Sequence, residues 1–222
     1  MLKLALVGKN ISHSKSQQMY EGLLGKQVDY SLLDYGSEEE IPDPQKLFES
    51  YQGISITAPY KEHFLPFIEV DNDILELGAV NCLKKENEKI FGTNTDYLAL
   101  KEILNTYLKK NIIILGDGAM FRVCKKVLGE YQKEFTHFAR KKDGPIEEVD
   151  LSALENAFII NTCARKYVFN GKVASDSIFY DLNYSFDPHI EKFKKINCRY
   201  IDGLELLELQ AHYALKYWNL DS

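Results

Sequence analysis

Short, continuous apolar runs alternate with amphipathic ones along this chain, and the alternation restarts near residue 111; that restart constrains the fold more than any single motif. Residues 4–7 and 30–33 read as strands, and between them Met19, Tyr20, Leu23 and Leu24 recur at helical spacing, a β-α-β unit. Strand-like runs continue at 54–56, 79–83 and 89–91. A helix is then predicted over 97–108, with Leu98, Leu100, Ile103, Leu104 and Leu108 on its apolar positions. From Asn111 the pattern begins again: a buried strand at 111–115, a helix at 120–128, and strands at 135–139, 158–160 and 178–182. A last helix is predicted over 204–218, with Leu206, Leu207, Leu209, Ala211, Leu215 and Trp218 apolar; its pattern does not say which half it joins. There is no solenoid-period repeat and no low-complexity linker, so the boundary falls in the helix near 97–108. With 222 residues, either one large domain or two small ones should bury roughly 70% of the unfolded surface without staples.

Charge and cysteine usage narrow the function classes. A formal charge of −6 with a pI near 5.5 argues against binding a nucleic-acid backbone and favours small-molecule partners. Cys82, Cys124, Cys163 and Cys198 are scattered with no C-x-x-C pair, so neither a metal site nor a disulfide framework is expected, and a reducing, cytoplasmic compartment is. The apolar start, Met1 to Gly8, is too short for a signal h-region and reads as the first core strand; no run approaches membrane-spanning length.

Six motifs carry chemistry. Gly53-Ile54-Ser55-Ile56-Thr57-Ala58-Pro59-Tyr60-Lys61 is a half-buried strand that breaks at proline and delivers a lysine; Gly92-Thr93-Asn94-Thr95-Asp96 packs an amide and a carboxylate into a short turn. Lys61 and Asp96 can form an acid/base pair in which the carboxylate holds the ammonium, provided the fold joins them. Gly116-Asp117-Gly118-Ala119-Met120-Phe121 follows a buried strand and opens a helix, which suits a dinucleotide pyrophosphate or an ordinary strand-to-helix turn. Phe121 stands where a third glycine would, and its bulk is expected to push helix from strand or crowd the phosphate. Arg140-Lys141-Lys142, after the next strand, suits the 2′-phosphate of NADP or a solvated basic turn. Ser12-His13-Ser14-Lys15-Ser16 precedes the first helix, with Ser14 or Ser16 as N-cap and the free amides suited to a small carboxylate; simple capping is the plainer reading, and His13 has no assigned chemistry. Asn81, in Gly78-Ala79-Val80-Asn81, offers an amide for orienting hydroxyls, or a structural one.

Taken in order, these motifs, with Asp181, Tyr184, Asp202-Gly203 and Gln210-Ala211, resemble the shikimate dehydrogenase family over nearly the whole chain. The resemblance implies a two-domain α/β protein, an N-terminal three-layer α/β substrate domain (1–97 with 206–222) and a Rossmann-like NADP-binding domain (98–205), with the active site in the cleft. It implies Lys61 and Asp96 as the catalytic pair and Ser14 and Ser16 at the substrate carboxylate with Thr57 and Tyr184 beside them. Asn81 and Gln210 would meet ring hydroxyls. Gly116, Gly118 and Ala119 would lie at the pyrophosphate, Arg140 at the 2′-phosphate and Gly203 near the nicotinamide. The implied reaction is reversible reduction of 3-dehydroshikimate to shikimate by NADPH, with shikimate as the small-molecule partner, in a monomer or homodimer.

The chain also departs from the family pattern. Ser55 stands where relatives usually carry Asn, which removes an amide donor and leaves a substrate hydroxyl to be met through water. Gln17 replaces a usual proline, Ala119 and Met120 crowd the glycine loop, the segment after Asn161-Thr162 lacks a usual glycine, and the chain is short, mostly in the Rossmann half. These departures motivate two alternatives: a dehydrogenase for quinate or another hydroxylated ring acid, and a non-catalytic ligand-binding relative.

Overall fold

A computed structural model describes residues 1–196 and 198–220. The chain forms two compact units, Met1–Ala99 with Leu207–Ser222, and Leu100–Leu206. Both are α/β.

The first unit is built from β1 (Lys3–Gly8), α1 (Ser16–Leu24), β2 (Asp29–Asp34), α2 (Pro44–Leu47), β3 (Gly53–Ile56), α3 (Asn72–Leu77), β4 (Cys82–Glu86), β5 (Lys89–Thr93) and the start of α4 (Thr95–Tyr107). Its five-stranded sheet runs β2-β1-β3-β4-β5, parallel from β2 to β3 and antiparallel from there on. β1 and β3 are buried almost throughout, which is why they read as unbroken apolar runs. The strand expected over 79–83 begins three residues later, at Cys82, and continues through Lys84, Lys85 and Glu86 into a hairpin. Asn87 and Glu88 turn that hairpin with φ of 48° and 66°, the left-handed pair a two-residue connection needs. Neither Ser14 nor Ser16 is the N-cap of α1. Lys15 takes that position without a side-chain capping bond, and Ser14 Oγ accepts the Ser16 backbone N–H at 3.2 Å.

The second unit comprises the rest of α4, β6 (Asn111–Leu115), α5 (Ala119–Glu130), β7 (Phe135–Phe138), α6 (Arg140–Asp143), β8 (Asp150–Leu151), β9 (Ala157–Asn161), β10 (Lys172–Val173), β11 (Ile178–Asp181), α7 (Asp187–Phe193) and β12 (Arg199–Ile201). Its main sheet is wholly parallel, in the order β7-β6-β9-β11-β12, with β8 and β10 paired separately. Both sheet faces are covered: Ile113, Leu115, Ile159 and Phe179 pack with Phe169 and Phe193, while Phe158 stacks on Tyr107 at 3.9 Å between ring centres. Counted in chain order, the five strands run 2-1-3-4-5, so the winding reverses between β6 and β9. A doubly wound sheet opens its ligand crevice there, at the carboxyl ends of the strands flanking the reversal.

α8 (Leu204–Tyr217) spans the boundary and returns the chain to the first unit. Ala211, Ala214, Leu215 and Trp218 join Leu4, Tyr20 and Cys82 in its core, and Trp218 Nε1 donates to Leu83 O at 2.8 Å. A Cβ at Gly53 would lie 2.5 Å from the Trp218 ring, so glycine is what lets the indole lie on β3.

Candidate active site

The lysine and the aspartate meet. Lys61 Nζ donates to Asp96 Oδ2 at 2.6 Å, with the two side chains 15% and 13% exposed. Each is placed by its backbone. After β3 the Thr57 to Tyr60 turn closes by Tyr60 N to Thr57 O, Tyr60 OH donates to Tyr35 O, and Lys61 O accepts Val80 N at 2.8 Å. Asp96 is the second residue of α4, where a carboxylate is favoured by the helix dipole. Asn94 Oδ1 caps that helix by accepting Tyr97 N at 3.0 Å, and its Nδ2 donates to Ala79 O.

Beside the pair lies an amide and hydroxyl network. Asn81 sits just before β4, held by Asn81 N to Thr93 O and Ile56 N to Asn81 O. Its Oδ1 accepts both Thr95 N (2.7 Å) and Thr95 Oγ1 (3.2 Å), while its Nδ2 has no partner among the described residues. Thr95 Oγ1 also lies 3.2 Å from Gln210 Oε1, and Gln210 Nε2 donates to Leu207 O. Buried Thr95 therefore joins two amides 129 residues apart in sequence (210 − 81), a role the sequence analysis missed because Thr95 reads only as the start of a helix.

Ser14, Ser16 and Thr57 are half-buried. Asp34, ending β2, holds the loop before the serines by accepting Asn10 N and Ile11 N. Ser55 is buried, and its hydroxyl lies 3.1 Å from Tyr20 OH. Burial, reinforced by the neighbouring Tyr30 phenol, holds the Tyr20 phenol far above its ordinary range. Tyr20 is thus a neutral hydroxyl beside Ser55.

In the second unit the glycine loop lies at the reversal point. Gly116 has φ +106°, and a Cβ there would come 2.7 Å from Thr162 Oγ1 and 3.0 Å from Cys163 Sγ, so only glycine lets the β6–α5 turn approach the end of β9. Gly118 caps α5 without a side chain and leaves the first-turn amides for an anion. A cavity of about 500 Å³ opens at this loop, lined by Gly116, Asp117, Gly118, Arg140, Thr162 and Lys166, with most of 162–170 and with Ile146 and Glu147. Ala119, Met120 and Phe121 do not line it. The expected crowding by Phe121 is absent because its ring stacks flat on His137 of β7, 3.9 Å between centres. Arg140, the first residue of α6, and Lys166 have no partner among the described residues, so both cations are available to a phosphate. Lys166 carried no signal in the sequence. Cys163 is pushed up to about 12, mainly by burial, and stays a thiol.

Tyr184 and Gly203 also belong to the second unit. Gly203 N donates to Asn183 O, and a Cβ on Gly203 would lie 2.3 Å from Leu182 O. Arg165 donates to Tyr184 O and Ser185 O, each at 2.7 Å, which fixes the Tyr184 loop by its backbone. Among the described residues, no group of three or more His, Cys, Asp or Glu could hold a metal ion, and no helix is long and apolar enough to cross a membrane.

Residues 6–83 match the family model of the shikimate dehydrogenase substrate binding domain. The NADP(+) shikimate dehydrogenase of Caldicellulosiruptor bescii is 35% identical to the chain over 259 aligned positions, covering 98% of this chain and 89% of the relative. The chain belongs to the shikimate dehydrogenase family. Another relative, the NADP(+) shikimate dehydrogenase of Aquifex aeolicus, is 27% identical over 96% of this chain and 90% of its own length. A crystal structure of shikimate dehydrogenase from Aquifex aeolicus matches with a TM-score of 0.78 at 25% identity, covering 99% of this chain and 92% of that one. That of shikimate 5-dehydrogenase from Thermus thermophilus, in complex with NADP(H) and shikimate, matches in fold with a TM-score of 0.77 at 23% identity, over 98% and 93%. The fold class is thus that of a two-domain α/β protein containing a Rossmann-like unit.

Proposed function

We propose that this family member is an NADP-dependent shikimate dehydrogenase that interconverts 3-dehydroshikimate and shikimate. The observation that carries the reading is the 2.6 Å contact between Lys61 Nζ and Asp96 Oδ2. The substrate carboxylate is held by the hydroxyls of Ser14, Ser16 and Thr57, with Tyr184 contributing its phenol. The unpartnered Nδ2 of Asn81 and the Gln210 amide, both oriented by Thr95, meet ring hydroxyls.

NADP fits the second unit's cavity. Gly116, Gly118 and Arg140 line it; Gly116 and Gly118, with Ala119 at the start of α5, would present backbone to the pyrophosphate, Arg140 would take the 2′-phosphate, and Gly203 would lie near the nicotinamide. When bound, the reduced cofactor supplies the hydride. Lys61 donates a proton or hydrogen bond to the oxygen that becomes the alkoxide as the ketone is reduced, and takes the proton back in oxidation. Asp96 keeps the ammonium aimed through the Lys61 Nζ to Asp96 Oδ2 bond. The protein works in the cytoplasm as a monomer or homodimer.

The test is a spectrophotometric assay of shikimate oxidation with NADP and with NAD. The reading expects turnover with shikimate and a higher specificity constant for NADP. A higher specificity constant for quinate, or no turnover with either cofactor, would overturn it.

A further inference from the structure

Deep in the second unit lies a titratable pair that the proposed reaction does not use. Asp181, the last residue of β11, and His189, on α7, are both buried to 0% exposure, and the His189 Nδ1 hydrogen-bonds Asp181 Oδ2. The other ring nitrogen, Nε2, accepts the Phe169 backbone N–H at 2.8 Å. A nitrogen that accepts carries no proton, so the imidazole is neutral and its one N–H points at Asp181. Burying a carboxylate is costly unless its oxygens are supplied with donors. Here Oδ1 accepts Asn161 Nδ2 at 2.9 Å, Asn183 Nδ2 at 2.9 Å and Asn183 N at 3.0 Å, and Tyr200 OH lies 3.3 Å from Oδ2.

Three of these side chains bond onward to one segment. Asn161 Oδ1 accepts Cys163 N and Asn183 Nδ2 donates to Cys163 O, both at 3.1 Å, while His189 takes Phe169 N. Residues 162–170 supply about half of the lining of the 500 Å³ cavity, Lys166, Tyr167 and Asn170 among them. The segment is a loop with no ladder of its own. Besides the bonds of Thr162 N to Leu115 O and Asn170 N to Glu147 O at its ends, its bonds at Cys163 and Phe169 therefore converge on a single buried carboxylate.

We propose that Asp181 and His189 are positioning residues for the nucleotide cavity: the buried pair holds segment 162–170 at Cys163 and Phe169, and so presets the wall that meets the cofactor. This rests on the reading of that cavity as the NADP site. The pair acts through the loop backbone and touches neither reactant.

Two substitutions divide the function of the ring. His189→Asn keeps a donor near the Nδ1 position for Asp181 but is too short to meet Phe169 N; His189→Gln reaches the Nε2 position and keeps that acceptor while giving up the Asp181 bond. A purely stabilising role predicts comparable losses of Tm and equal cofactor affinity. The positioning role predicts that the NADPH Kd, measured by fluorescence titration, rises about tenfold in His189→Asn and stays within about twofold in His189→Gln, as loss of one buried hydrogen bond implies. KM for NADPH should follow Kd, with kcat at saturating cofactor unchanged. Equal affinities in both variants and wild type, or a weaker His189→Gln, would overturn the proposal. If either variant fails to fold, amide exchange on the wild type decides: the Phe169 amide should be protected, and more so with NADPH, whereas exchange at an unprotected loop rate overturns the proposal. Failure of the wild type itself to bind NADPH overturns the reading of the cavity, and this proposal with it; binding that is equal in all three proteins overturns the proposal alone.

Discussion

Gly116→Ala should destabilise the second unit and weaken cofactor binding together, whereas Gly118→Ala should do only the second. At Gly116 two costs add. A φ of +106° is a region that residues with a Cβ occupy at a cost of about 1 to 3 kcal/mol. The new methyl would also lie 2.7 Å from Thr162 Oγ1, 3.0 Å from Cys163 Sγ and 3.2 Å from Cys163 N. Those atoms are tethered, since Thr162 Oγ1 donates to Leu115 O at 2.8 Å and Cys163 N to Asn161 Oδ1 at 3.1 Å. Relief of the overlap therefore costs about 1 to 3 kcal/mol as overpacking, or about 1 kcal/mol if the Thr162 bond is given up instead. Taking the lower half of the sum, about 3 kcal/mol, the unit's transition should fall by roughly 10 to 25 °C. Gly118 has φ −82° and open space around a built Cβ, so alanine there should move Tm by no more than about 2 °C, while a methyl at the cavity mouth raises the NADPH Kd several-fold. Scanning calorimetry with a cofactor titration on both variants is the assay. A Gly116→Ala protein melting within about 3 °C of wild type would refute the reasoning about the loop.

Three further outcomes follow from the site. Arg140→Ala should weaken NADPH by about tenfold or more and leave NADH within about twofold, because only the 2′-phosphate loses a charge-assisted partner; equal losses for both cofactors in paired titrations would refute the assignment. Thr95→Val keeps the backbone bond to Asn81 Oδ1 but releases Gln210, so KM for shikimate should rise about fivefold to thirtyfold with little change in Tm; an unchanged KM would show that the bridge is idle. With its pKa near 12, Cys163 at pH 8 is about one part in ten thousand thiolate, and iodoacetamide should alkylate it at least about a hundredfold more slowly than free cysteine. Peptide mapping that found Cys163 modified as fast as glutathione would contradict its burial.

The central parallel strands were legible because both their faces are buried: Ile112, Ile113, Ile114 and Leu115 admit no alternation, and β6 runs from Asn111 to Leu115 as its apolar run predicts. β4 was not, because its outer half is a solvated hairpin in which Lys84 pairs with Glu86 and Lys85 with Glu88, leaving no apolar trace beyond Leu83. β12 and α7 were missed for related reasons: β12 is a three-residue edge strand and α7 a seven-residue helix, too short for its buried His189 and Phe193 to read as a repeat. Lys61 and Asp96 announced themselves by their chemistry and by their order among the family motifs. Thr95, Lys166, Arg165 and His189 did not, since what each does depends on a partner or a cavity that only the tertiary fold supplies. Phe121 shows the opposite error. Its bulk looked like an obstruction in a glycine loop, yet the helix turns the ring onto His137.

The central claim is that Lys61, held by Asp96, moves the proton while NADPH reduces the ketone. Steady-state turnover of 3-dehydroshikimate with NADPH by wild type and by Lys61→Ala, at matched folding and saturating cofactor, tests it most directly. The account predicts an active wild type and a kcat lower by about a thousandfold in the variant, the scale of losing a positioned proton donor and its stabilising charge, with NADPH affinity unchanged. Undiminished turnover in Lys61→Ala, or a wild type inactive with this pair of reactants, would contradict it.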